Sequence, residues 1–213
     1  MTRTQRALWI ALLAATLLSV IRPPFPRELA LQHVPTVFML FALPIAARRW
    51  KLSNAAFACI AAFMLFHVLG ARYIYSYVPY DQWSEKLFGV NLTQRFGFRR
   101  NHYDRVVHFL FGALWLVPVW EIATGVFKVP RRFAYYAAVE FVLAFSMIYE
   151  LFEWGLSVVL SPHDAGAYNG QQGDIWDAQK DMSCAALGAL LALLLWRTAA
   201  WLSARTRALR SPE

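Results

Sequence analysis

Residues 177–196 read DAQKDMSCAALGALLALLLW, two aspartates and a lysine running without a break into fifteen residues that hold no charge. Asp174 lies just upstream in GDIWDAQKDM (173–182), so three carboxylates fall within eight positions at the mouth of an apolar helix. About 20 apolar residues are needed to cross a bilayer as a helix, and the stretch from 176 to 201 meets that length. A carboxylate carried into such a span costs about 2.5–3.5 kcal/mol unless something compensates it. The stretch therefore indicates a membrane helix, and asks what its aspartates are for.

The rest of the chain fits the same setting. Of 213 residues, 59% are hydrophobic and only 16% charged, with 9 Trp, 16 Phe and 9 Tyr. That composition indicates an all-α, polytopic membrane protein forming one integral membrane domain over 1–213. The net charge of +8 would suggest nucleic acid in a soluble protein. Here the basic residues cluster between apolar runs, where the positive-inside rule accounts for them, and no nucleic-acid partner is expected. Cys59 and Cys184 each lie in an apolar run without metal or redox spacing and read as small buried hydrophobes. Met1–Ile21 begins like a signal peptide but continues IRPPFPRE without a small-x-small site, so it reads as an uncleaved first helix.

Hydropathy places six helices near 5–21, 29–47, 54–78, 104–127, 133–158 and 176–201. The polar connection 79–103 carries Trp83, Phe88 and Phe96, suited to a segment lying on the membrane surface. An even number of spans puts both termini on one side with the second and fourth connections. That side holds Arg3, Arg6, Arg48, Arg49, Lys51, Lys128, Arg131, Arg132, Arg197, Arg205, Arg207 and Arg210. The opposite side holds Arg22, Arg27, Lys86, Arg95, Arg99 and Arg100. The larger group marks the cytoplasm, so both termini are expected there, in a bacterial inner membrane.

Three polar motifs interrupt the apolar pattern. NHYDRVVHF (101–109) opens the fourth helix, with Asp104 and His108 four apart on one face. YELFEW (149–154) lies toward the end of the fifth, with Glu150 and Glu153 three apart. In the sixth, Asp174, Asp177 and Asp181 form one stripe. The fourth and sixth helices enter from the side where the fifth exits, so all three motifs share one leaflet. Their depths also overlap: Asp181 lies ~10 Å inward of Asp174, and His108 ~6 Å inward of Asp104. Five uncompensated carboxylates would cost on the order of 15 kcal/mol at the insertion cost per residue, more than most proteins' entire stability.

Three compensations are open. Arg105, Lys180 and Arg72 pair with the acids; a divalent cation (Mg, Mn or Zn) is held by His108 and several carboxylates; or the cluster belongs to a proton or solute pathway. Elsewhere, Tyr73, Tyr75 and Tyr77 read as an interfacial aromatic belt, and His67 as a hydrogen-bonded core group. Glu121 and Glu140 face Arg131 or Arg132 as partners. His102 is a weaker ligand candidate than His108, and His163 and Asp164 read as a solvated loop.

RNHYDRVVHF, YELFEW and GQQGDIWDAQKDM, with LGARYIYSYVP upstream, resemble the YjdF-type bacterial inner-membrane family. The resemblance covers nearly the whole chain, apart from Ile74 where a Thr is expected, and implies topology and motif positions but no reaction. The order Asp104, His108, Glu150, Asp177 and Gly188 also resembles the VanZ-like proteins, which are associated with glycopeptide-antibiotic tolerance. The aspartate rhythm is similar to the metal motifs of UbiA-type prenyltransferases and CDP-alcohol phosphotransferases. Six spans are too few for the first, however, and Asp177-Ala178 and Gln179 depart from the second. No His-Glu-x-x-His, Walker loop, Gly-x-Ser-x-Gly elbow or paired Glu-x-x-His is present.

The reading that follows is a metal-assisted membrane enzyme acting on a lipid-linked or envelope substrate. Asp104, Asp174, Asp177, Asp181, Glu153 and His108 are its candidate ligands. His108 doubles as a general base, Glu150 serves as ligand or acid/base group, and Arg105 meets a phosphate or pairs with the cluster. The rival reading is a non-enzymatic membrane protein, a small transporter or envelope-stress accessory with a structural ion-pair network. It lacks the Gly/Pro-broken mid-membrane helix pair of many transporters.

Overall fold

The computed structural model describes residues 1–159 and 172–210, so the reading of His163 and Asp164 lies outside the described residues. Within them the chain is helical with no strand. The helices are α1 (Arg3–Ser19), α2 (Pro26–Arg49), α3 (Asn54–Arg72), α4 (Tyr80–Phe88), α5 (Leu92–Phe96), α6 (Tyr103–Gly125), α7 (Arg131–Val159) and α8 (Asp177–Arg210). Five of them, α2, α3, α6, α7 and α8, are long and apolar enough to cross a membrane. Their outward surfaces carry exposed Phe38, Phe41, Ile45, Val159 and Leu195, as helices in contact with lipid require.

With 17 residues, α1 extends only ~25 Å against a hydrocarbon core of about 30 Å. Even so, it runs the length of α3, held at both ends. At its start, Thr2 and Gln5 form a reciprocal capping box. Thr2 Oγ1 reaches Asn54 Oδ1 at 2.7 Å, and Gln5 Nε2 donates to Leu52 O at 2.8 Å. At its end, Arg72 Nη1 donates to Ser19 O at 2.6 Å and Ile21 O at 3.1 Å. Arg72 thus closes the carbonyl end of α1 and does not join the acidic cluster, which corrects the sequence expectation. Hydrogen bonds from a charged donor contribute about 1.5–3 kcal/mol. Arg72→Met is expected to lower stability by about that amount in chemical unfolding, with Arg72→Lys recovering part of it; an unchanged midpoint would contradict the cap.

The third helix stops at Arg72, not at 78. Ile74 (φ 45°) and Tyr75 (φ 56°) adopt left-handed backbone that a helix cannot continue. This turn sends Tyr75 inward, where it is buried and its hydroxyl lies 2.5 Å from His67 Nδ1. Tyr75 therefore leaves the interfacial belt assigned to it, while Tyr77 remains exposed against Phe25. At the other end of α3, Ser53 N and Oγ both donate to Glu121, at 3.0 and 2.5 Å. Glu121 thus secures a helix start, while Arg131 and Arg132 lie over the rings of Trp120 and Phe133. The connection before α6 folds into α4 and α5, ended by left-handed Gly89 and Gly97, with Leu87, Phe88 and Phe96 exposed.

Two three-helix groups result. In one, α3 packs on α1 and α2 around Leu12, Leu43, Phe57 and Ile60; in the other, α6 packs on α7 and α8; α3 joins them through α6. The α6–α8 contact is the closest, and two glycines make it so. A Cβ on Gly112 would lie 1.9 Å from Ala185 O, and one on Gly188 would lie 2.0 Å from Phe109 O. Small residues let membrane helices approach backbone to backbone, and this approach sets Asp104 and His108 against the start of α8.

Candidate metal centre where α6 and α8 begin and α7 ends

The stripe on α8 divides into two layers. In the outer layer every acid has a cation. Asp174 Oδ2 accepts from Arg105 Nη2 at 2.8 Å and from Lys180 Nζ at 2.7 Å. Asp177 Oδ1 accepts from Arg105 Nη2 at 2.9 Å and from Arg100 Nη1. The Arg100 and Asp177 side chains are each 6% exposed. Asp174 also accepts from Trp176 N at 3.1 Å, an Asx turn that starts the approach to α8. The Lys180 ammonium beside it, chiefly, holds the Asp174 carboxyl at about 2. Burial, then the charges of Arg105 and Arg100, keep the His102 imidazole below its usual value.

Its partner Lys180 makes Asp174 a source of acid-dependent stability. Its folded value lies below the unfolded value of about 3.9. Its stabilising contribution is therefore complete above about pH 4 and disappears as the pH falls toward 2. A carboxyl-detected NMR titration is expected to show Asp174 titrating near pH 2, and Lys180→Met to move that midpoint upward; identical midpoints would break the link.

In the inner layer, among the described residues, no lysine or arginine forms an ion pair with Asp104, Glu150 or Asp181. Asp104, His108 and Asp181 each offer a ligand atom, all within 4.8 Å of one another. His108 Nε2 lies 3.7 Å from both Asp104 Oδ1 and Glu150 Oε1, too far for hydrogen bonds. Asp181 is 2% exposed and Glu150 8%, yet Asp181 Oδ1 and Glu150 Oε1 have no hydrogen-bond partner among the described residues. Glu153 takes a hydrogen bond from Tyr149 and lies within electrostatic reach of Asp104, Glu150 and Asp181. Ligands about 2.0–2.2 Å from a common Mg or Zn ion stand roughly 3–4 Å apart. The inner spacing is slightly wider than that, so a small contraction would complete a site.

The structure thus brings Asp104, His108, Glu150 and Asp181 together, with Glu153 beside them, and places Asp174, Asp177 and Arg105 in the salt-bridged layer above. Sequence reasoning missed two participants. Arg100 precedes α6 in irregular chain, where no periodicity assigns it a face. Ser146, one turn inward of Glu150 on α7, is buried with Oγ unpartnered; its i−4 position to Glu150 was the available signal.

Fold and cluster together define a multi-pass, all-helical membrane protein with an acidic, histidine-containing cluster where α6 and α8 begin and α7 ends. The chain belongs to the family described as "Predicted membrane protein (DUF2238)", which matches residues 4–201. It is 30% identical over 165 residues to inner membrane protein YjdF of Escherichia coli (strain K12), covering 77% of this chain and 75% of that protein. The matches carry the YjdF-type resemblance and not the VanZ-like one. They support placement as a multi-pass protein of the inner membrane. No solved structure matches the chain.

Proposed function

We propose that the inner layer is a divalent-cation centre, for Mg, Mn or Zn, in a membrane enzyme acting on a lipid-linked or envelope substrate. Asp104, His108 and Asp181 are its ligands. Glu150 is a further ligand or the acid/base group, and Glu153 stands behind it. Asp174 and Asp177 instead fix Arg100, Arg105 and Lys180 at the mouth, where Arg105 is positioned to meet an anionic group of the substrate. A cation held there would polarise a phosphoryl or carbonyl oxygen and acidify bound water.

The observation that carries this reading is the pair of carboxylate oxygens on buried Asp181 and Glu150, 8% exposed or less, that have no hydrogen-bond partner among the described residues. Buried charges are paired or coordinate metals. The outer layer alone favours the second reading, a structural ion-pair network in a non-enzymatic transporter or envelope-stress accessory. That network reaches Asp174 and Asp177 and leaves Asp181 unaccounted for. The basic residues at the helix ends opposite the cluster support cytoplasmic termini and an outward-opening centre; a reporter fused after Glu213 should give a cytoplasmic signal, and a periplasmic one inverts the assignment.

Metal analysis of the purified protein tests the centre. Wild type should carry bound Mg, Mn or Zn in a stoichiometric amount, and chelation should lower its unfolding temperature. Asp181→Asn should lose both the metal and the response to chelator. Wild-type protein without stoichiometric metal and indifferent to chelation would remove the proposal.

A further inference from the structure

Inward of the cluster lies a cavity of about 490 Å³, within the roughly 300–1,000 Å³ of small-molecule sites. Its floor is α3 and α6 and its flanks are α2 and α7. The two flanking helices do not pack on each other, which leaves the cavity open sideways, toward the bilayer.

The cavity is polar at one end only. Asp104 and His108 on α6 face His67 and Tyr75 across its outer end, and aromatic side chains such as Phe63, Phe111 and Phe145 line the remainder. From Asp104 to Trp115 the floor runs ~16 Å along α6, about half of a ~30 Å hydrocarbon core and so the depth of one leaflet. Above the polar end, the mouth between α6 and α8 is lined by Arg99, Arg100, Arg105 and Lys180 against Asp174; with Asp177, four cations stand against two carboxylates.

We infer that the cavity seats one hydrocarbon chain of a phosphate-bearing membrane lipid, entering between α2 and α7, with its polar end between Asp104–His108 and the basic mouth. The lateral opening selects an occupant already dissolved in the bilayer. The apolar wall fits a chain of one leaflet's length, and the surplus positive charge at the mouth fits a phosphate. The inference deepens the cation-centre reading, on which its assignment of the lipid as substrate rests.

Photolabelling tests it in nanodiscs of phosphatidylethanolamine and phosphatidylglycerol containing a trace of phosphatidylglycerol with a diazirine midway along one chain. Wild-type label should concentrate on the 145–152 and 35–39 segments, above that on the outward face of α8 at Leu194 and Leu195. Ser146→Phe fills the cavity from α7, and Met39→Trp fills it from α2. Either should lower that labelling about ten-fold, the equivalent of displacing two buried methylenes, and leave the α8 label unchanged. Even labelling around the protein, or labelling indifferent to both substitutions, overturns the chain site. In detergent micelles carrying only the probe, where no matrix phospholipid competes, excess phosphatidic acid should displace it while diacylglycerol of the same chains does not; equal displacement by both, or by neither, overturns the phosphate assignment. Asp181→Asn keeps the cavity label even as it loses metal, and Met39→Trp keeps the metal. Failure of the lipid site and failure of the cation centre are therefore read separately.

Discussion

Asp177→Asn is expected to destabilise the protein by about 3–5 kcal/mol, the cost of breaking a buried ion pair from one side. Asp177 is the carboxylate shared by Arg100 and Arg105. Asparagine has nearly the same shape but cannot answer either guanidinium, so two largely buried positive charges keep their desolvation cost and lose their common counter-charge. The loss should be the same with and without chelator, because it arises in the outer layer. Replacing the charges on both sides of a buried pair by apolar groups is often close to neutral, so Asp177→Asn combined with Arg100→Met should recover part of the stability. Chemical unfolding in detergent micelles reads both effects. A loss below about 1 kcal/mol for the single substitution, as seen for exposed pairs, would mean the layer is solvated and structurally unimportant.

Gly188→Val should be nearly as severe. Overpacking a core costs about 1–3 kcal/mol when side chains can shift; here the obstacle is the backbone carbonyl of Phe109, 2.0 Å from any added Cβ. α6 and α8 must separate, and the expected loss is about 3 kcal/mol or more. The same separation draws Asp181 away from Asp104 and His108, so metal retention should fall along with the unfolding temperature. Gly112→Val presses on Ala185 O from the other helix and should reproduce both effects. The two substitutions share one interface, so their costs should not add. Normal stability and metal content in either variant would show that the close approach is unnecessary.

Much of this arrangement is legible in the chain. Length and hydropathy give the five long spans and the shorter α1, and the alternating direction of three consecutive helices puts NHYDRVVHF, YELFEW and GDIWDAQKDM on one side before any helix is packed. The 3–4 spacing gives each helix its polar face. What spacing leaves open is the partner each acid meets at its depth. Asp174, Asp177 and Asp181 lie on one stripe, yet the first two meet Arg100, Arg105 and Lys180 while the third meets His108 and Asp104. Arg100 and Tyr75 were hidden for a related reason: irregular chain before α6, and left-handed residues after α3, set their directions without a period. The cavity between α2 and α7 was hidden because helices apolar on every side do not write their neighbours into their sequence.

The claim that Asp104, His108 and Asp181 form a cation centre is tested most directly by titrating Mn²⁺ into chelator-stripped protein in nanodiscs and following bound ion by electron paramagnetic resonance. Wild type should take up a single tightly held Mn²⁺ per chain, with hyperfine coupling to a histidine nitrogen that disappears in His108→Gln. Asp181→Asn should bind none at the same concentrations. A wild-type chain that binds no Mn²⁺, or binds it equally well without Asp181 and His108, would contradict the account.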